Sequence, residues 1–532
     1  MMDPINPKHI RASIAAHSSW NEDQLLSDTL AWHAATRRDR YPDQRKTYAS
    51  RIPLTERIAP VTSSLPLEIV DDLVRPVWMR RLDAEYLNLR QATTRRIDVT
   101  EYGAVGDGKT DCTLAFRLAL RSYRHVYVPA GVYVVRGIRV PSNCVLEGAG
   151  QDQTTIKLDD RAPKHRRLLR NATPFLGNHH IEVAHLTLDW NVDRLGAVDR
   201  TSSGDTASSA LTFAHVTFGW VHHVTSKNAG LHAFDITAPH YHYLGDGLRA
   251  AKGSRYIWLD RCEATNYGDD GITTHHSDAI YVTNCYCHHP HGRTHTAGFS
   301  NSNGIEVDDG SRHVVLVNNM TEGCFGGIEV KAHATSSAAH DVHIFGHVSY
   351  HDNRSYNFRH IGHHLADDPD SKTARFISGT NLVSIEPVRS VLYERSSPRS
   401  LVVSAYQDVF INGFTAIGDP SYDYEGNPAL AVQYKSRDVR LKRIATSGFV
   451  SGRADIELFG GANRTDRVTV EEVTCRHSAP IAIKVGGRLT DVVLTHIEGE
   501  QKSGDALIST HSPLEAHDLF AYGFSERVRN DA

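Results

Sequence analysis

The chain has 532 residues and a mass of 59.1 kDa, which leaves roughly two to four compact domains or one long repetitive one. Its 40% hydrophobic and 23% charged residues exclude a largely disordered chain, and 58 basic against 62 acidic residues, net charge −4, argue against a nucleic-acid partner. No apolar run reaches the ~18 residues of a membrane-inserted helix, and seven cysteines without a CxxC pair suggest neither a zinc ribbon nor a disulfide scaffold.

Residues 1–96 read as a mostly helical and linker module. The segment NEDQLLSDTLAWHAATRRDR places Asn21 as an N-cap before Leu25, Leu26 and Leu30 at helical spacing. SLPLEIVDDLVRPVWMRRLDAEYLNLR repeats that pattern around a break at Pro76. The first twenty residues lack the charged start and apolar core of a signal peptide, so a role outside a cell is expected to use another route.

From residue 97 to about 500 short Val/Ile/Thr-rich segments alternate with Gly, Asn, Asp and Ser. An apolar anchor returns at Val183, Val221, Ile257, Ile280, Val314, Val342, Val409, Val439, Val468 and Val492. Its intervals are 38, 36, 23, 34, 28, 67, 30, 29 and 24 residues, and the 67 is expected to hide one more turn around LVSIEPV and SLVVSA. Such units cannot bury their own apolar faces and must stack, which predicts a solenoid. The irregular intervals favour a parallel β-helix over a propeller. Residues 501–532 are expected to form a C-terminal tail or cap.

The opening IDVTEYGAVGDGKTDCTLAFRLAL, with VYVPAGVYVV and VLEGAGQDQTTIKL after it, resembles the entry of the pectate-lyase superfamily of right-handed parallel β-helices. The resemblance implies an all-β fold whose open end is covered by the helix CTLAFRLAL, with Gly106 and Gly108 in a tight turn and Thr110 or Asp111 as its cap.

Leu244 to His333 holds the richest set of reactive residues. Asp246 lies 23 residues before Asp269, and His291 lies 21 after Asp270. If those intervals equal one coil, all four stack on one wall, where neighbouring carboxylates raise one pKa and retain a proton. LGDG, GDDG, PHG and EVK stand in the order of the motifs of polygalacturonase-type glycoside hydrolases. That resemblance implies Asp269 as general acid, Asp246 and Asp270 activating water with inversion, His291 modulating the acid and Lys331 binding substrate. Where that family carries an arginine, this chain has Glu329, which would repel a uronate and points to another glycan.

Glu306, with Asp308 and Asp309, forms a reserve carboxylate set on the next coil, and Arg293 and Tyr267 complete the expected substrate contacts. The histidines at 275, 276, 288, 289, 291 and 295 lack regular metal-ligand spacing, so neither a metal nor another cofactor is expected. Cys262 and Cys285 should stack as reduced thiols.

The expected function is hydrolysis of a polysaccharide, with non-catalytic glycan binding or a lyase or epimerase as alternatives. An N-terminal module followed by a β-helix is similar to the layout of phage tailspikes. It implies a virion tail or extracellular location (with a cytoplasmic one as alternative), contacts with other tail proteins through residues 1–96, and a homotrimer.

Overall fold

In the computed structural model, residues 7–36, 66–70, 73–203, 206–243, 245–246 and 250–531 are described. The chain from Arg96 onward winds into a parallel β-helix, in which each strand pairs in parallel with the strands one coil before and after. Adjacent rungs stand about 4.8 Å apart. Long strands such as Arg312–Glu322, His340–Tyr350 and Arg375–Ile385 stack in register to form bent walls. The bend falls where single residues take positive φ: Asn318, Gly346, Asn381 and Gly413 follow one another along the stack. Asn, Asp and His tolerate this region better than other non-glycine residues. Ten of the 33 histidines (180, 185, 215, 223, 276, 289, 313, 351, 477 and 496) have positive φ, so much of the histidine surplus serves backbone bends.

A further wall, the site sheet, is built from short strands. Phe234, Ile272, Ile305, Ile328, Tyr356, Leu401 and Leu430 stack in register and are buried in one continuous core. Each such side chain contributes about 1.5–3 kcal/mol. Alternate residues point outward, which places every second position of these strands on the opposite face.

The anchor pattern holds, with two adjustments. The hidden turn is the strand Arg375–Ile385, whose Ile377 pairs with both Val342 and Val409. Val183 and Val221 share a column with Leu259 rather than Ile257, two residues further along the strand. Parallel pairing also continues past residue 500, through Val492–Thr510 and Glu515–Asn530.

The entry helix α4 (Thr113–Ala119) buries Ala115, Phe116 and Ala119 at the start of the core. Asp111, not Thr110, accepts the Thr113 N–H at 3.0 Å. Before the solenoid lie α1 (Pro7–His17), α2 (Glu22–Ala35) and α3 (Met79–Ala92). Asn21 caps α2 by accepting from Gln24 N at 2.9 Å. These helices pack on the flank of the solenoid: the Asn412 amide donates to Leu25 O at 2.9 Å, and Asp28 meets Lys442 and Arg443 at 2.9 and 2.7 Å. The stretch read as helical before Pro76 is instead an antiparallel hairpin, Leu67–Val70 with Leu73–Pro76. Its β-branched Ile69, Val70 and Val74 suit strands, and Pro76 sits at the strand end, where a missing N–H costs little. Residues 37–65 of the expected linker lie outside the described residues.

Candidate functional site

The outward positions of the site sheet converge on one polar cluster. Asp235, Thr273, Glu306, Glu329 and Asn357 form one column, and His275 and Asp308 lie in the next, followed by Lys331 and Arg359. Asp269 and Asp270 stand in the turn just before the strand Ile272–His275.

His232 Nε2 lies 3.6 Å from Asp269 Oδ2 and 3.3 Å from Asp270 Oδ2. His295 Nε2 meets Asp269 Oδ1 at 3.1 Å. The Asn303 amide donates to Asp270 Oδ1 at 3.0 Å and to Glu306 Oε1 at 2.9 Å. Lys331 Nζ reaches Glu306 Oε1 at 2.6 Å and Asp308 Oδ2 at 3.8 Å. Asp309 accepts from His333 Nδ1 at 3.1 Å and from the Tyr241 hydroxyl at 3.3 Å. Tyr241 stacks on His275 with ring centroids 3.7 Å apart.

Most of these groups are buried. The cluster meets solvent through Asp269 (14% exposed), His295 (39%), His333 (30%) and Arg359 (23%).

Burial and neighbouring charge separate the two adjacent aspartates. Burial, with Asp269 and Glu306 close by, pushes Asp270 well above the usual carboxylate range. Burial acts the same way on Asp269, but the charge of His295 and the bonds to His232 and His295 outweigh it and hold Asp269 well below that range. Asp269 in turn raises His295. On the next coil, burial and Asp309 push Asp308 up to about 7, while Lys331 overcomes burial and lowers Glu306. One wall thus holds both proton-bearing and ionised carboxyl groups, the combination that acid–base chemistry needs.

Of the residues singled out in the sequence, Asp269, Asp270, Glu306 and Lys331 come together here, with Asp308 and Asp309 beside them. Glu329 lies in the same column, fully buried, where it accepts from Arg359 Nε and from the Asn357 amide at 3.2 Å. Its charge is therefore met by Arg359 and is not presented to solvent as a repelling group.

Asp246 and His291 do not stack on the pair. On this wall one coil spans 38 residues (Phe234 to Ile272) and then 33 (Ile272 to Ile305). The coil neighbours of Asp270 are therefore His232 and Asn303. The 23-residue step from Ile257 to Ile280 is not the step that the site wall takes on either side of Ile272. Asp246 is buried on an inserted loop and accepts from Ser337 N at 2.9 Å. Leu244 and Gly247 of its motif lie outside the described residues. His291 bonds Ala229 O through Nε2 at 2.9 Å and accepts from Arg293 N through Nδ1 at 3.0 Å. Burial lowers its pKa to about 4, so it pins a loop as a neutral ring.

Arg293 donates to Gly196 O on the surface. Tyr267 is buried in the core, its hydroxyl 3.3 Å from Cys324 Sγ, and does not reach the outer face. All seven cysteines are buried and free.

Sequence reasoning gave no site role to His232, Asp235, His275, His295 and Arg359, naming His275 and His295 only within the histidine cluster. Aligning FDIT, GITT and GIEV as successive strands exposes the first three, because His232 then falls one coil before Asp270. Three sets at this site — His232/Asp269/Asp270, His275/Glu306/Asp308 and Asp308/Asp309/His333, the last two sharing Asp308 — each have donor atoms within 4.8 Å of one another and could hold a cation. Lys331 and the charged histidines already offset much of their negative charge.

Four comparisons with known proteins bear on this arrangement. The family model described as Rhamnogalacturonase A/epimerase, pectate lyase-like, matches residues 96–329. The phage-related protein YobO of Bacillus subtilis is 45% identical over 441 residues, covering 83% of this chain and 54% of that protein. The pre-neck appendage protein of Bacillus phage phi29 is 41% identical over 442 residues, covering 81% and 51%. The crystal structure of an N-terminal fragment of phi29 gene product 12 superimposes with a TM-score of 0.76 at 39% identity, covering 85% of this chain and 74% of the fragment. The chain spans about half the length of the curated relatives it matches.

Proposed function

The chain belongs to the family of the phi29 pre-neck appendage protein, built on a pectate-lyase-like β-helix, and from that premise we propose that it is a virion appendage that cleaves a host surface glycan by acid–base hydrolysis at the Asp269 cluster. The observation that carries this reading is the adjacent pair of aspartates with opposite proton preference. Asp269, ionised and bonded to His295, is the member that reaches solvent. Asp270, behind it, keeps its proton.

This exchanges the roles implied by the polygalacturonase resemblance, in which Asp269 would hold the proton. Here the Asp269–His295 pair, which starts with its proton on the histidine, gives that proton up and regains it at the surface, and Asp270 stays neutral behind it. Glu306, kept ionised by Lys331, supplies a further carboxylate on the next coil.

The test is incubation of the chain and its Asp269→Asn variant with a panel of bacterial and plant glycans. New reducing ends that fall by about 10²–10⁴-fold in the variant support hydrolysis. Unsaturated products would replace it with elimination, and tight binding without products would replace it with adhesion. Attachment to other virion proteins through residues 1–96 and assembly into a homotrimer belong to the same proposal. Light scattering reads the second as a mass three times 59.1 kDa.

A further inference from the structure

The outward column that passes through the acidic cluster changes sign toward the start of the solenoid. Arg139 pairs with Arg170, Arg170 with Thr212, and Thr212 with Asp235. Around Arg139 and Arg170, with Arg166 and Arg167 from the preceding turn, lies a cavity of about 290 Å³, walled also by Phe175 and Pro239.

Among the described residues Arg139, Arg166 and Arg170 form no ion pair, and none of the cavity's lining residues is a carboxylate. Arg166 Nε is buried without a hydrogen-bond partner. Arg170 donates only to the adjacent Asn171 O, at 3.1 Å. Burial, then the charges of Arg139, Arg167 and Arg166, lower its pKa. Like charges such as Arg139, Arg166 and Arg170, gathered with no ion pair of their own among the described residues, are costly. A guanidinium fork relieves that cost best with a planar or tetrahedral oxyanion, which it binds through two parallel N–H bonds.

One loop joins the edge of the cavity to the candidate site. Phe175 packs on His240 with ring centroids 4.9 Å apart, and the next residue, Tyr241, stacks on His275. Pro239 lines the cavity from the same loop. Three rungs separate Arg170 from the strand that follows Asp269, a span of about 14 Å.

We propose that this cavity is an oxyanion subsite, in which Arg139 and Arg170 hold a carboxylate or phosphate group of the polymer whose backbone lies across Asp269. It rests on the reading of that cluster as glycan-binding, and it makes the ligand an anionic glycan gripped away from the reacting bond. The neutralised Glu329–Arg359 pair beside the cluster fits this arrangement, because the anionic group is recognised elsewhere.

The test is calorimetric titration of the full chain at low salt with inorganic phosphate, glucuronate and, as neutral control, glucose. Saturable binding of phosphate, glucuronate or both, weakened on the order of tenfold or more in Arg139→Gln/Arg170→Gln and unchanged in Asp269→Asn, supports the subsite. The two anion arms tell phosphate from carboxylate. Selenate soaked into crystals of the unaltered chain should give an anomalous peak between Arg139 and Arg170, a readout that needs no variant. Absence of saturable anion binding, or binding that survives the double substitution in a folded protein, overturns the proposal. Arginine-dependent anion binding in a chain that cleaves no glycan sinks the hydrolase reading and leaves the subsite standing.

Discussion

Replacing Lys331 by methionine removes the cation that Glu306 and Asp308 share inside a wall where both are buried. At an effective dielectric constant of about 20, the 2.6 Å contact with Glu306 is worth about 6 kcal/mol and the 3.8 Å approach to Asp308 about 4 kcal/mol. Desolvation of three buried groups offsets most of that sum, so the net cost of deleting one partner is about 3–5 kcal/mol. A solenoid opens locally, because each coil touches only its neighbours. The loss should therefore appear in amide hydrogen exchange of the strand Gly326–Ala332 rather than in the whole chain. At a factor of ten for each 1.4 kcal/mol, exchange there should quicken by roughly 10²–10⁴-fold. Adding Glu306→Gln to the methionine variant removes the stranded charge and should recover part of the loss. Exchange within about threefold of the original chain, with no recovery in the double variant, would refute the view of Lys331 as the charge that makes this wall foldable.

His295→Gln takes away the charge that helps keep Asp269 ionised. The pKa of Asp269 should then rise, so the acid limb of a cleavage pH profile should move upward, on the order of one pH unit; an unmoved limb detaches His295 from the chemistry. Asp455, fully buried with Ser478 as a donor, has its pKa raised to about 7, chiefly by burial. The folded state therefore holds a proton that the unfolded chain has lost, and stability from this group is full below about pH 4 and declines by about 1.4 kcal/mol per pH unit until pH passes about 7. Asp455→Asn should flatten that slope and melt higher than the original chain at pH 8, and parallel pH curves for the two would dismiss the assignment. Asp28→Ala strips an acceptor from Lys442 and Arg443 and should loosen α2, seen as faster proteolysis within Glu22–Ala35 at a cost of about 1–3 kcal/mol.

The solenoid was legible because its anchors are apolar, inward and set by one rule, that each coil must cover the last. The missed turn shows the limit of that rule. In RFISGTNLVSI the anchor Ile377 lacks the polar pair before it that marks the other turns, so a search for the pair steps over it. The site was legible only in part, for a related reason. Register is a property of each wall and not of the whole coil. The 23-residue step from Ile257 to Ile280 is true of one face, while the loops inserted before Ile272 and Ile305 stretch the steps on the other to 38 and 33 residues. Carrying the short step across placed Asp246 beside Asp269 and hid His232. Lys331 was reached through the motif resemblance of EVK and Glu306 as a carboxylate one coil on, and both readings survive because the two residues sit inside strands that fix their faces. Arg359 stayed hidden because its partnership with Glu329 exists only once two coils are stacked.

A parallel β-helix offers few ways to tune an acid, since its outer face is flat and wet. Here the inserted loops do the tuning. The loop through Tyr241 lies over His275, and the loop through His295 reaches Asp269. Together they dry the face enough for two neighbouring aspartates to part in proton affinity. The same outward column, left uncovered by such loops, would present its carboxylates to water and titrate them alike. The length variation that breaks the sequence period is therefore what makes the chemistry available, and shortening either loop should return Asp269 and Asp270 toward equal pKa values, a change that carboxyl-resolved NMR titration would read directly.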